Sequence, residues 1–131
     1  MSTLTCHIVS PERPLFEGEV DRLVAPGALG ELGIYPLHAP LISKLGPGVL
    51  RLHQGADVKR MAVRGGFVEV KDDDVILLVT HAVLPEDVDK QTVERELANT
   101  IEELQHPSSQ ERFEELIEER TWLEVCMRMH A

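Results

Sequence analysis

The sequence predicts a mainly β protein with a helical appendage: an N-terminal antiparallel β-sandwich over residues 1–85, then an antiparallel two-helix hairpin over residues 86–131. Three observations predict it. Across residues 3–82, short apolar runs alternate with turn residues, the spacing of a sandwich or barrel. After Pro85 the apolar period changes to three and four, which is helical. Apolar residues make up 43% of the 131-residue chain but aromatics only 4%, so its one core must be filled by Val, Leu and Ile.

The strand-like runs fall at 3–9, 19–25, 49–53, 58–63, 67–71 and 75–80. In 67–71 the alternation puts Val68 and Val70 on one face, the core side, and Phe67, Glu69 and Lys71 on the other. Asp72, Asp73 and Asp74 make a polar turn into 75–79, a continuous apolar run suited to a strand buried on both faces. Gly65 and Gly66 mark a bulge or a close backbone approach. Between the second and third runs, Pro36, Pro40 and Pro47 each fix φ and remove a donor. Residues 30–52 therefore predict a shaped surface loop leading into a strand, and loops held that firmly often present binding surfaces.

In the tail, Val93, Leu97, Ile101 and Leu104 trace one helical stripe, with Asp87 as the expected N-cap. The block at 106–109 breaks this helix, and Ser108 with Glu111 has capping-box spacing for a second one. Phe113, Leu116, Ile117, Leu123 and Met127 supply its apolar stripe, while Trp122 reads as a packing residue. The short break implies an antiparallel hairpin.

Charge and composition narrow the function. Of the net charge of −10, residues 86–131 contribute thirteen acidic against five basic side chains, and residues 1–85 ten against eight. With no basic stripe carrying interleaved aromatics, nucleic acid is excluded as a partner. No signal-peptide pattern opens the chain, and no apolar run reaches the roughly 18 residues of a membrane span. A soluble, unexported protein is expected, one that would reach a membrane only through a protein partner. Cys6 and Cys126 form no CxxC pair and read as reduced thiols.

Catalytic and cofactor signatures are missing. Gly27, Gly30 and Gly33 do not form GxGxxG, Lys44 lacks a phosphate loop, and neither Ser10 nor Ser43 lies in GxSxG. The histidines have no paired-ligand spacing, so no metal is expected. His38 is either an interface residue or a solvent-exposed loop imidazole, and spacing alone favours the second. A small hydrolase would need a nucleophile and base that the sequence does not supply.

The run GELGIYPLHAPL at 30–41, with LFEGEVDRLVAPG at 15–27, LGPGVLRL at 45–52, VRGGFVEVKDDDVILLVTHA at 63–82 and EDVDKQ at 86–91, resembles the epsilon subunit family of F-type ATP synthases. The resemblance covers most of residues 1–91 and weakens toward the end. It implies a sandwich of about ten strands with a two-helix C-terminal domain. It also implies a non-catalytic rotor subunit that binds the gamma subunit and the ring of c subunits at the cytoplasmic face of the bacterial inner membrane, held there by the complex. Glu31, Tyr35, Leu37, His38, Ala39 and Pro40 would then form the rim that meets gamma and the ring. Leu37 stands where glycine is common in the family, stiffening the loop or adding apolar contact.

Two further properties follow from the family. Some bacterial members bind ATP through an Ile/Leu-Asp-x-x-Arg-Ala segment. Here Asp89 is retained but Thr92 and Val93 replace the Arg-Ala pair, which implies weak or absent nucleotide binding and no cofactor. In several relatives the C-terminal helices inhibit ATP hydrolysis by docking basic side chains on the alpha/beta catalytic head. Arg112, Arg120 and Arg128 are the residues available for that contact, set among six glutamates that weaken it. The alternative from another class is a free-standing β-sandwich binding module with a helical tail, which would not co-purify with gamma.

Overall fold

The computed structural model describes residues 2–129. Among the described residues, ten strands precede two α-helices. They are β1 Leu4–Val9, β2 Pro14–Val20, β3 Arg22–Gly27, β4 Gly30–Ile34, β5 Leu41–Leu45, β6 Gly48–Gln54, β7 Asp57–Val63, β8 Gly66–Lys71, β9 Asp74–Val79 and β10 Ala82–Val83. The ladder runs β10-β7-β6-β3-β5-β8-β9-β1-β2, with β4 also on β3. Because β3 meets β5 only at Gly27↔Leu45, the ladder turns there into two leaves. The inner faces of the two leaves share one core, in which Leu23, Leu50 and Leu52 meet Ile8, Val68, Val75 and Leu77. This is the predicted mainly β sandwich, and its pairings are antiparallel with one exception: β1 and β9 run parallel, Thr5 opposite Asp74.

Val68 and Val70 are buried and Phe67, Glu69 and Lys71 exposed, as the alternation requires. Burial pushes the core Cys6 thiol up to about 12, which suppresses its thiolate. Gly66 is a close approach rather than a bulge. Its φ is +137°, and a Cβ there would lie 1.9 Å from the Leu78 carbonyl oxygen.

Three expectations about the strands are corrected. Residues 30–52 are not one loop: β4 and β5 are short strands that find ladder partners on either side of a turn at 35–40. The prolines limit strand length without abolishing pairing, because they sit in the turns. The run at 19–25 is divided at Asp21, whose carboxylate accepts the Gly55 amide at 2.5 Å. Most relevant to function, β9 is not buried on both faces. Val75, Leu77 and Val79 point into the core, while Ile76 and Leu78 face outward.

The helices are α1 Lys90–Leu104 and α2 Gln110–Arg128. Asp87 does not cap α1. It lies in a one-turn 3-10 helix begun by Pro85, and Asp89 is the N-cap, accepting from the Gln91 and Thr92 amides. The Thr92 hydroxyl also donates to Asp89, the main reason that its carboxyl is held below its ordinary value. On α2 the cap is Ser109, not Ser108. Its hydroxyl accepts the Arg112 amide, so the predicted capping box does not form.

The predicted stripes are only partly used. Leu116 and Leu123 are buried, but Ile101 and Phe113 remain exposed. A second face of α2, of which the sequence reading has only Trp122, carries Trp122, Val125 and Cys126, with Met129 just past the helix end. It packs on Ala62 and Val49 on the outer side of β6 and β7. Around it, Glu119 pairs with Arg64 at 3.2 Å, and the Trp122 ring lies 5.4 Å from His81 and 5.8 Å from the Arg64 guanidinium. The hairpin is thereby folded back on the sandwich. Trp122 is the packing residue the sequence predicts.

Candidate partner-binding surfaces

Two surfaces lie on the leaf formed by β5, β8, β9, β1 and β2, and they adjoin. The first is the turn between β4 and β5. The His38 amide donates to the Tyr35 carbonyl at 3.1 Å, closing a four-residue turn with Pro36 and Leu37 at its centre. Pro36 fits the first central position, and Leu37, at φ 65°, occupies the second, where a type II turn usually has glycine. The Leu37 amide donates to Asp73 Oδ1 at 2.7 Å, which ties this turn to the one between β8 and β9. His38 Nδ1 donates to the Ala39 carbonyl at 2.7 Å, which orients the imidazole.

Tyr35, Leu37, Ala39 and Pro40 are exposed and His38 half-buried, so the structure brings five of the six predicted rim residues together. Glu31 is apart from them. It sits at the far end of β4, ion-paired with Arg51 at 3.0 Å, and Tyr35 begins the turn at the other end. A groove of about 430 Å³ runs from Gly30 and Glu31 to Ile42 and Lys44. A second groove, of about 440 Å³, runs from Pro40 past Ile42 to Glu69 and Lys71. Ile42 belongs to both and links Glu31 to the turn.

The second surface is the outward face of that leaf, which sequence reasoning missed. Register aligns Lys44, Phe67, Leu78 and Val9 in one row across β5, β8, β9 and β1, and Ile42, Glu69, Ile76 and His7 in the next. Ile42 is 74% exposed, and Phe67 and Leu78 are each 55% exposed. Five apolar side chains thus stand together in solvent on a rigid sheet, an arrangement that marks interaction surfaces. The available signal was the run at 75–79, in which five consecutive apolar residues must place some on each face.

The three arginines expected to reach a catalytic head are not gathered. Arg112 bridges the hairpin, contacting Glu103 at 2.6 and 2.9 Å and Glu115 at 3.1 Å. That bridge holds the Glu103 carboxyl below its ordinary value. Arg120 faces Glu124 at 3.4 Å. Arg128 lines a cleft of about 510 Å³ with Glu31, Arg51 and Arg60. Among the described residues no group of three or more His, Cys, Asp or Glu could hold a metal ion, and no helix is long and apolar enough to cross a membrane.

Comparison with known proteins agrees with the fold. Residues 3–85 match the model of the ATP synthase delta/epsilon chain, beta-sandwich domain. The chain is 47% identical over 95 residues to the ATP synthase epsilon chain of Leptospira borgpetersenii, covering 72% of this chain and 75% of that one. To the epsilon chain of Acidithiobacillus ferridurans it is 35% identical over 134 residues, covering 97% and 93%. In fold it is similar to a chain of the Euglena gracilis mitochondrial ATP synthase in an OSCP/F1/c-ring structure, with TM-score 0.89 at 19% identity, covering 98% of this chain and 82% of that one. A chain of the Tetrahymena thermophila central stalk and c-ring gives TM-score 0.75 at 14% identity, covering 99% and 98%. Matched over residues 3–85 by that family model and along nearly its whole length by an epsilon chain, this sandwich with its helical hairpin belongs to the delta/epsilon chain family of ATP synthases.

Proposed function

We propose that this chain is a non-catalytic subunit of the central stalk, which joins the gamma subunit to the ring of c subunits so that ion-driven rotation reaches the catalytic head. The observation that carries this reading is the apolar outer face of β5, β8 and β9. Coupling needs buried contact area rather than reacting groups, and Ile42, Phe67, Ile76 and Leu78 supply an uncovered apolar patch on a stiff sheet. In this reading gamma covers the patch, and the turn at 35–40 with Glu31 meets the ring. The chain would sit at the cytoplasmic face of the bacterial inner membrane, peripheral through the complex.

Co-purification with gamma tests this reading. The unaltered chain is expected to bind, and Phe67→Glu with Leu78→Glu to weaken binding at least about a hundredfold, because two like charges that cannot pair with each other would be desolvated in the interface. Both positions face solvent in the isolated chain, so its melting temperature should change little. Undiminished binding by the double variant would reject the placement of gamma on this face.

We further propose that the hairpin restrains ATP hydrolysis only modestly. Arg112 and Arg120 are engaged by glutamates of the hairpin itself, so docking on an acidic partner must first break those pairs. Removing residues 86–131 from the assembled enzyme should raise hydrolysis by only a few fold. A large activation would sink the idea.

A further inference from the structure

We infer that the cleft at the C-terminal end of α2 is a binding site for a small phosphate anion, gripped by Arg51, Arg60 and Arg128. The inference goes beyond the rotor reading and does not rest on it. Register sets Arg51 directly opposite Arg60 on β6 and β7, on the same face as the neighbouring pair Val49 and Ala62, on which α2 packs. Like charges facing each other across a ladder repel, so this pair works against the fold. Helix α2 ends at Arg128, which brings a third guanidinium into the same cleft of about 510 Å³. The chain has 23 acidic and 13 basic side chains, yet the cleft is lined by three arginines and a single acid, Glu31. Glu31 pairs with Arg51 at 3.0 Å, and among the described residues Arg60 and Arg128 have no ion-pair partner. An excess of positive charge is thus held in one place on an acidic protein.

Phosphate oxygens suit this cleft better than a protein surface does. Apart from Val49 its remaining wall is glycine and proline, which offers a protein partner little apolar area. Guanidinium forks take adjacent phosphate oxygens two at a time, and three forks around one cleft match an anion whose charges lie close together. Two linked phosphates meet that description and fit the volume. An anionic lipid surface presents the same oxygens, but the net charge of −10 repels such an extended surface far more than it repels one small anion.

Inorganic pyrophosphate, titrated calorimetrically into the full chain at low salt, should bind saturably with Kd on the order of 0.1 mM. Arg60→Gln and Arg128→Gln should each weaken binding about tenfold, the usual loss for a charged hydrogen-bond donor. Arg60→Gln should also leave the melting temperature unchanged or slightly raised, since it removes a like-charge pair. Glu31→Gln should act in the opposite direction and tighten binding about threefold, by freeing Arg51 and removing the acid from the cleft. Arg13→Gln, which removes the same charge outside the cleft, should change affinity less than about twofold. Absence of saturable binding up to about 10 mM pyrophosphate overturns the site. So does equal affinity of the unaltered chain and the Arg60→Gln and Arg128→Gln variants. Binding to phosphatidylglycerol vesicles but not to pyrophosphate overturns the small-anion assignment.

Discussion

Replacing Gly66 with alanine should cost the sandwich at least about 3 kcal/mol and lower its melting temperature by 10 °C or more. The position has two independent constraints. Its φ of +137° belongs to a region that side-chain-bearing residues rarely enter, and its new Cβ would fall 1.9 Å from the Leu78 carbonyl oxygen and 2.9 Å from the Val79 Cα. Neither obstacle is the end of a flexible side chain. Gly66 pairs with Leu45 on one side and Val79 on the other, so a shift would disturb both ladders of an inner strand where they begin. Gly65→Ala is the matched control. The nearest atom its Cβ would meet is 3.6 Å away, so denaturant unfolding should register a small loss. Similar losses at the two positions would count against the steric account.

The second large effect concerns the hairpin. Trp122→Ala should remove about 3–5 kcal/mol from its docking on the sheet, because the ring is buried against Ala62 and shielded by His81 and Arg64. That loss falls on an interface made by one face of one helix. Hydrogen exchange should therefore accelerate through α1 and α2 while the amides of β8 and β9 keep their protection. Unchanged exchange in the helices would mean that Trp122 does not hold the hairpin down.

Much of the fold is legible in the sequence because period is local. The alternation in 67–71 is enough to turn Val68 and Val70 inward, and Pro85 marks where the period changes. What is not legible depends on neighbours distant in the chain. Residues 30–34 and 41–45 are too short and too interrupted to read as strands, and they become strands because β3 and β8 offer partners. Asp87 and Asp89 are both acceptable caps, and the 3-10 turn that Pro85 begins decides between them. Helix α2 has apolar residues on two sides, Leu116 with Leu123 and Trp122 with Val125 and Cys126, so a search for one stripe finds only part of the pattern.

The candidate surfaces divide the same way. The proline turn is visible as a motif, and its residues do lie together. The apolar outer face is invisible, since Ile42, Phe67, Leu78 and Val9 come from four separate strands and are aligned only by register. Glu31 joined the rim through family resemblance, and the structure places it across a groove from Ile42 rather than beside His38.

The parallel pairing of β1 with β9 bears on the order of synthesis. During translation β1 leaves the ribosome first, yet its partner β9 begins only at Asp74, on the order of seventy residues later, and such distant pairing is slow to form. Until then β1 has only the β2 hairpin on one side, and its other edge, with buried-type Leu4, Cys6 and Ile8, is uncapped. The nascent sandwich is thus held open along one seam until its ninth strand emerges, and the window in which it could pair wrongly is set by the pace of elongation.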